Sequence, residues 1–319
     1  MKKIKKVLAK IENNLKLLWN FGLVCSFYDF FDSIIFREKG ALGKYFHLRK
    51  HEYVKKYIKT KYKAVIERYK RVKKEERCIE KNYYIFIFWW QGEKNAPDIV
   101  QSCINSVKQH AGKHVVKIID KNNYNDYVNI PDYIIKNFNE GKISITHFSD
   151  ILRFNLLYVY GGIWMDATVY LTKDFDNDIF KHKFYTVHHN QHKTYHVCKG
   201  LWSTSFIACG KNNQLVKFII DILNEYLKDN KIFICYLLID CLLALAYENI
   251  DIFNQEISNV PENNTDFFEL EKILSEEFNL NIIRKFKNTY MFKTTYRINF
   301  LKKINNKTTF YNEILKGNI

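Results

Sequence analysis

The stretch SDILRFNLLYVYGGIWMDATVY, residues 149–170, decides the fold of this chain. Its first residue, a serine, is a common helix N-cap, and the apolar residues that follow predict a helix over residues 150–160. Gly161-Gly162 ends that helix, and the apolar residues 163–165 predict a buried strand. Asp166 follows the strand directly. In open α/β sheets ligands bind beyond such strand ends, so this stretch predicts a binding site as well as a fold.

A strand–helix–strand pattern lies upstream of this stretch. Residues 83–90, YYIFIFWW, are aromatic and β-branched and predict a buried strand. Pro97 suits the first turn of a helix that extends to about residue 109, and residues 115–119 predict the next strand. This spacing is typical of a βαβ unit with parallel strands. The sequence therefore predicts an α/β domain with a mainly parallel central sheet.

The basic charge of the chain is concentrated at its N-terminus. The formal net charge is +16, and residues 1–80 hold 22 Lys and Arg against 9 Asp and Glu. The same residues show apolar periodicity and contain no proline, which predicts helices. We therefore predict a basic helical region over residues 1–80 and an α/β domain over residues 81–319.

This basic region has three interpretations, which the sequence leaves open. It can bind the phosphates of nucleic acids, lie on an anionic membrane, or form a solvated helical surface. A set of apolar residues at helical spacing fits either a membrane-surface helix or a docking helix: Ile4, Val7, Leu8, Ile11, Leu15 and Leu18. Because the charge is not distributed around the predicted ligand site, we predict an anionic membrane surface as a partner and no nucleic acid.

The cysteines argue against a zinc ribbon or a thioredoxin-like site. The chain has seven, scattered and without a CxxC pair, which indicates free thiols in the cytoplasm. The start of the chain is basic but has no uninterrupted apolar segment of the kind that a secretory signal requires. We therefore predict a cytoplasmic protein that lies at the inner face of the membrane.

Three charged residues of the opening stretch can carry chemistry. Asp150 and Arg153 are three apart on a predicted helix and share one face, so they form either an ion pair or a site for sugar hydroxyls and phosphates. Asp166 follows a buried strand, where a carboxylate needs a partner or a cation. Mg²⁺ or Mn²⁺ with a substrate diphosphate would satisfy it.

Weaker candidates lie further along the chain. Asp240 sits within an apolar run over residues 232–247 that predicts a buried helix, so this carboxylate needs a partner or a catalytic function. Residues 202–206 can line an acceptor pocket or form an ordinary strand. Five histidines are close in sequence and suggest either zinc or, more simply, a polar loop: His182, His188, His189, His192 and His196.

The motifs resemble those of the capsular polysaccharide synthesis glycosyltransferases, a family similar to the wider group of sugar transferases with a DxD motif. The shared order is Trp90-Gln91-Gly92, then Ser-Asp-x-x-Arg, then Tyr-Gly-Gly-x-Trp-x-Asp, over residues 83–171. The resemblance implies a GT-A fold, a sugar-nucleotide donor and retention of anomeric configuration. It also implies that Trp90 stacks on the base, that Asp150 and Arg153 hold the ribose and donor sugar, and that Asp166 leads a metal–diphosphate site.

The resemblance extends to other positions of the motif. It implies donor contacts at Gly92, Tyr160 and Trp164. Phe292-Lys293 lies where related transferases place a His-Lys pair near the C-terminus, and Lys293 would stabilise the leaving group if it reaches the diphosphate. The second acid of DxD is replaced by Thr168, which offers a hydroxyl in place of a charge. We therefore predict a divalent cation, Mn²⁺ or Mg²⁺, held by Asp166 and Thr168, with Asp166 and Asp240 as catalytic residues.

The sequence thus predicts a bacterial glycosyltransferase that moves a hexose from a nucleotide-diphosphate sugar, a UDP-sugar being favoured. The expected acceptor is a glycan or a lipid-linked sugar in capsular or other surface polysaccharide synthesis. Two alternatives remain. One is a catalytically inactive relative that binds sugars or nucleotides, which Thr168 makes plausible; the other is a basic nucleic-acid-binding protein, which the charge suggests.

Overall fold

The structure is a computed structural model that describes residues 2–72, 84–189, 191, 194–286 and 288–319. The longer helices are α1 (Lys2–Asp29), α2 (Gly40–Lys61), α3 (Lys63–Tyr69), α4 (Asp98–His110), α6 (Asp132–Asn139), α7 (Ile145–Tyr160), α8 (Gln214–Asp229), α9 (Leu238–Asn249), α10 (Asp251–Ser258) and α13 (Phe310–Lys316). The short helices are α5 (Tyr124–Tyr127), α11 (Glu269–Ile273) and α12 (Leu280–Ile283). Among the described helices, none combines the length and apolar content that a membrane span requires.

The strands form one five-stranded sheet and two small ones. They are β1 (Tyr84–Phe88), β2 (Val115–Ile119), β3 (Gly162–Met165), β4 (Val169–Leu171), β5 (Phe184–Thr186), β6 (Phe206–Cys209), β7 (Met291–Lys293), β8 (Lys303–Ile304) and β9 (Lys307–Thr308). The order in the large sheet is β2-β1-β3-β6-β5, and the small sheets pair β4 with β7 and β8 with β9.

The large sheet is mostly parallel. Strand β1 pairs in parallel with both β2 and β3, with Ile85 opposite Ile163. Strand β6 runs antiparallel to its two neighbours, β3 and β5, so four of the five strands point the same way. The predicted α/β class with a mainly parallel central sheet and an N-terminal helical region is therefore confirmed.

The pairing of β4 with β7 places a distant part of the chain beside β3. Val169 lies opposite Lys293 in this antiparallel pair, only a few residues after the end of β3. The backbone N–H of Thr294 donates to the Thr168 carbonyl at 2.8 Å and extends the contact. Residues near the C-terminus are thereby fixed at the strand end where Asp166 lies.

The N-terminal helices pack on the body of the protein through a shared apolar core. Helix α1 bends at Gly22, whose φ of 83° suits glycine, and seven residues, Phe30–Phe36, form a π-helical turn before α2. Phe21 of α1 stacks on Tyr226 of α8 at 6.5 Å between ring centroids. One cluster of buried residues runs from Leu17 on α1 to Trp164 on β3. The predicted boundary between residues 80 and 81 lies outside the described residues and stays a prediction.

Two local predictions need correction. Helix α7 begins at Ile145, because the Ser144 side chain accepts from the backbone N–H of His147 and caps the helix there. Ser149 is therefore inside the helix, and Asp150 and Arg153 lie beyond its first turn. The apolar run over residues 232–247 is helical only from Leu238 onward.

Candidate active site

The turn between α7 and β3 determines where Asp166 lies. Gly161 has a φ of 66°, and a Cβ at this position would lie 2.5 Å from the backbone nitrogen of Lys211, so a side chain cannot be accommodated. The chain then enters β3, all of whose residues are buried. Just after the strand, the backbone N–H of Asp166 donates to the Ser205 carbonyl at 2.9 Å. The carboxylate is thereby held at the end of β3.

The Asp166 carboxylate accepts hydrogen bonds from three side chains. Lys293 Nζ donates to Oδ2 at 2.6 Å, while Arg153 Nη2 and Trp164 Nε1 donate to Oδ1 at 3.1 and 2.9 Å. Burial raises the pKa of this carboxyl, but the charges of Lys293 and Arg153 outweigh it and hold the pKa well below its usual range. Asp166 is therefore a fixed negative charge between two cations.

Arg153 connects Asp166 to a second carboxylate. Its Nη1 donates to Asp150 Oδ1 at 2.5 Å, and its guanidinium lies 4.9 Å from the centre of the Trp164 ring. Burial raises the pKa of Asp150 to about 6, and the charge of Arg153 opposes that rise. The predicted intrahelical ion pair between Asp150 and Arg153 is present, and its arginine also reaches the strand end.

Asp240 lies on the other side of the same cleft. It is buried in the first turn of α9, and its Oδ1 accepts from Trp202 Nε1 at 3.0 Å. Burial raises its pKa to about 6, although the Trp202 hydrogen bond and the charge of Arg153 oppose this. Asp240 thus has the hydrogen-bond partner that a buried carboxylate needs.

These residues line one cleft that has three adjoining sections. The first section, of about 710 Å³, extends from Trp90 to Lys293, and we call it the donor section. The second, of about 390 Å³, contains Asp150 and Asp240, and we call it the middle section. Arg153, Asp166 and Lys293 border both sections, so the ion pairs lie where the two meet.

A third section reaches into the N-terminal helices. It has a volume of about 620 Å³ and includes Asp32, His47 and Lys50, and we call it the N-terminal section. Glu38 and Tyr236 border both this section and the middle one. The N-terminal helical region therefore forms one end of the cleft.

Most of the residues singled out in the sequence meet in this cleft. The donor section is bordered by Trp90, Arg153, Trp164, Asp166, Thr168 and Lys293. Trp90 is half-buried and packs edge-on against Phe138 and Phe148, with ring centroids 5.1 and 5.8 Å away. That packing fixes the indole at the wall of the donor section.

Two predicted donor contacts lie elsewhere. Tyr160 is at the far end of α7, where its hydroxyl donates to the Tyr127 carbonyl and its ring packs against Phe86, so it does not border the donor section. Gly92 forms the turn after β1 with a φ of 83°, and a Cβ there would lie 3.3 Å from Asp120. Its neighbour Gln91, not Gly92, borders the cleft.

The side chains around Asp166 do not fit the predicted divalent cation. Both carboxylate oxygens already accept from cationic side chains, so a metal ion would have to displace Lys293. Two other acids of the cleft, Asp150 and Asp240, are buried against Arg153 and Trp202. Mn²⁺ or Mg²⁺ at Asp166 and Thr168 stays a prediction from the sequence.

A different set of ligand-type side chains lies in the N-terminal section. Within the described ranges, Asp32, Glu38 and His47 are the acids and histidine whose candidate ligand atoms all fall within 4.8 Å of one another. Lys50 Nζ is 3.0 Å from Asp32 Oδ2, so this group already contains a cation. Of the five clustered histidines, His189 and His196 border the middle section, and His192 lies outside the described residues.

Sequence reasoning missed two parts of the cleft. One is the segment after β7, where Thr295, Tyr296 and Arg297 border the donor section. No pattern in the sequence indicates that these residues would lie beside β3. The other is the N-terminal wall around Asp32, for which a signal existed: two aspartates within the aromatic run at residues 27–36.

The chain was compared with known proteins. A sequence model of the family described as "Capsular polysaccharide synthesis protein" matches residues 37–314. The O-glycosyltransferase braB of Annulohypoxylon truncatum is 32% identical over 96 residues, which cover 27% of this chain and 23% of that protein. The solved structure named PaToxG Glycosyltransferase aligns with 76% of this chain and 98% of its own, at 18% identity and a TM-score of 0.41. That structural likeness is too low to support an argument.

Proposed function

The chain belongs to the capsular polysaccharide synthesis protein family, and from this premise we propose that it is a glycosyltransferase. It moves a hexose from a nucleotide-diphosphate sugar, with UDP-sugars favoured, to a glycan or lipid-linked acceptor. The observation that carries the proposal is the position of Asp166. This carboxylate lies between Lys293 and Arg153 at the point where two sections of one cleft meet.

The donor section suits a nucleotide diphosphate. Trp90 presents an aromatic wall on which a base can stack, and such stacking is sequence-tolerant. Lys293, Arg153 and Arg297 supply positive charge in the same section. Guanidinium and ammonium groups are the usual protein partners of phosphate. The base therefore occupies the Trp90 end and the diphosphate the Lys293 end.

The reaction breaks the bond between the anomeric carbon and the diphosphate and forms a bond from that carbon to an acceptor hydroxyl. Negative charge grows on the departing diphosphate, and Lys293 and Arg153 stabilise it. Positive charge grows on the sugar ring, and the carboxylate of Asp240, which borders the middle section, stabilises that charge. The hydroxyl proton leaves with the diphosphate, so retention of configuration needs no separate base.

The acceptor enters from the N-terminal section. This part of the cleft adjoins the middle section at Glu38 and Tyr236. It offers hydrogen-bonding groups of both kinds, including Lys50, Ser33 and Asp32, which suit a sugar acceptor. His47 Nε2, also in this section, is buried and has no hydrogen-bond partner among the described residues.

The test is hydrolysis of UDP- and GDP-hexoses by the purified chain, followed by mass spectrometry. Asp166→Asn removes the charge that orders Lys293 and Arg153, and we expect the rate to fall about 100-fold or more with the circular dichroism spectrum unchanged. Asp174→Asn, at an exposed ion pair with His110, is the matched control and keeps its activity. Binding without turnover would instead support the inactive relative. The proposal would be refuted if the protein showed no binding and no turnover of any nucleotide sugar.

A further inference from the structure

The N-terminal helices expose an unusual amount of apolar surface. Of the 22 large apolar side chains that are exposed in the described part of the chain, twelve lie between residues 4 and 45. We call these twelve the N-terminal apolar surface. They are Ile4, Leu8, Ile11, Leu15, Trp19, Leu23, Val24, Phe27, Phe30, Ile35, Leu42 and Tyr45.

The first five members follow one side of α1, because their spacing of three or four residues matches the helical repeat. The opposite side of the helix is buried, as Leu17 and Phe21 belong to the shared core. The helix is therefore fixed to the body of the protein by its inner side and has an apolar outer side. Of the residues that the sequence pattern grouped on this face, Val7 and Leu18 are half-buried and lie at its margin.

Trp19 is the most exposed side chain of the N-terminal apolar surface, and its contact with water is unfavourable. Its side chain is 87% exposed, and Leu23, one turn later, is 74% exposed. Burying side chains of this size is worth about 1.5–3 kcal/mol each. Tryptophan in particular favours the boundary between lipid and water, where its ring is in apolar surroundings and its N–H can reach water.

The charge around the surface distinguishes between possible occupants. Lys5, Lys10 and Lys16 are exposed on the same helix, in a region with 22 basic against 9 acidic residues. A second copy of the chain would bring the same positive charge against itself. An anionic lipid headgroup layer complements the charge while the acyl region accepts the apolar side chains.

We propose that α1 and the π-helical turn after it dock on an anionic phospholipid bilayer through the N-terminal apolar surface. The side chains insert at the level of the headgroups, and the neighbouring lysines bind the lipid phosphates. This inference goes beyond the proposed reaction, since it holds whatever the cleft binds. It also keeps the cleft near the bilayer, because Ala9, Lys10 and Asn13 of the same helix border the N-terminal section.

The test is flotation of the full chain with phosphatidylcholine vesicles, with and without phosphatidylglycerol. We expect binding to the anionic vesicles that weakens at high salt, and little binding to the neutral ones. The triple variant Leu15→Ser, Trp19→Ser, Leu23→Ser should bind the anionic vesicles at least about tenfold more weakly than the unchanged protein. The control, Leu280→Ser, Ile298→Ser, Leu301→Ser, changes three exposed apolar side chains elsewhere and should bind as the unchanged protein does.

Equal binding by the two triple variants would overturn the proposal. A second result would also overturn it: the unchanged protein binds no vesicles and is a dimer by light scattering, and only the variant with Trp19→Ser is a monomer. That result would assign the surface to self-association. Nucleotide-sugar hydrolysis, measured in parallel without vesicles, should be the same in both variants. A loss of the reaction and a loss of docking are therefore distinguishable.

Discussion

Lys293 Nζ lies 2.6 Å from Asp166 Oδ2, although the two residues are 127 positions apart in the sequence. The contact depends on the antiparallel pairing of β4 and β7, which sets Val169 opposite Lys293. Lys293 therefore already donates to one of the two Asp166 oxygens that a metal ion would need as ligands. Lys293 can thus supply, from within the chain, the positive charge that a cation would otherwise bring to the diphosphate of the proposed donor.

This relationship predicts how the reaction responds to chelation. We expect EDTA to leave most of the nucleotide-sugar hydrolysis intact, whereas Lys293→Met lowers its rate about 100-fold because the leaving group loses its charged partner. Lys302→Met is the control, since that side chain is exposed and 3.8 Å from Asp98. Loss of activity in EDTA that Mn²⁺ restores would contradict the prediction and return the metal to Asp166.

Arg153→Lys should destabilise the protein. A lysine cannot reach Asp150 and Asp166 with separate nitrogens while stacking on Trp164, so a buried carboxylate loses its partner. We expect the free energy of unfolding in urea to fall by about 2–4 kcal/mol. The control Arg68→Lys changes an exposed arginine at Asp221 and should cost at most about 1 kcal/mol. Equal losses would show that the bridge adds no stability.

Asp240→Asn should stabilise the protein in a pH-dependent way. The folded pKa of Asp240 is raised to about 6, so the unchanged protein loses stability as pH rises from about 4 to above 6, where the buried carboxyl ionises. The amide avoids that cost and can still accept from Trp202. We expect the variant to be more stable at pH 8 by up to about 3 kcal/mol, with no difference near pH 4. Thermal unfolding of both proteins across this pH range measures the difference in stability. A stabilisation that did not change with pH would contradict the prediction.

Gly161→Ala should disrupt the turn that positions Asp166. The added methyl would lie 2.5 Å from the Lys211 backbone, in addition to the strain of the positive φ. We expect a loss of about 3 kcal/mol or more in the free energy of unfolding. Gly141→Ala has a similar φ of 69° with no atom within 4 Å of the new methyl, so its loss should be about 1–2 kcal/mol. Similar losses in both variants would mean that the backbone angle alone matters.

Trp90→Ala should weaken nucleotide binding. Loss of one base-stacking ring costs about 1–3 kcal/mol, which corresponds to an affinity about tenfold or more lower for UDP or GDP by calorimetry. Trp90→Phe should retain most of the affinity. Tyr160→Phe should leave binding unchanged, since its hydroxyl is bonded to Tyr127 away from the cleft. If Tyr160→Phe lowered the nucleotide affinity and Trp90→Ala did not, the base would have to bind near Tyr160 and not at Trp90.

The local parts of this structure follow from the sequence, and the distant contacts do not. Periodicity and glycine positions predict the C-terminal end of α7, the turn at Gly161 and the strand before Asp166, because each depends on near neighbours. The position of Lys293 depends on strand pairing between distant segments, which no local pattern specifies. Tyr160 belongs to the sequence motif, but it lies at the end of α7 that is away from the cleft. The reversed direction of β6 likewise depends on tertiary packing.

The core that joins the N-terminal helices to α8 and α9 limits how this chain can be recombined with its relatives. Phe21 and Tyr226 stack across the junction, and Lys55 of α2 pairs with Glu248 of α9 at 2.6 Å. A chimera that takes α1 and α2 from another family member keeps only the α8 and α9 side of these contacts. The matching residues of α8 and α9 then have to come from the same donor protein. Exchange of the N-terminal apolar surface between family members therefore requires transplanting both sides of the junction, with α8 and α9 moved together with α1 and α2.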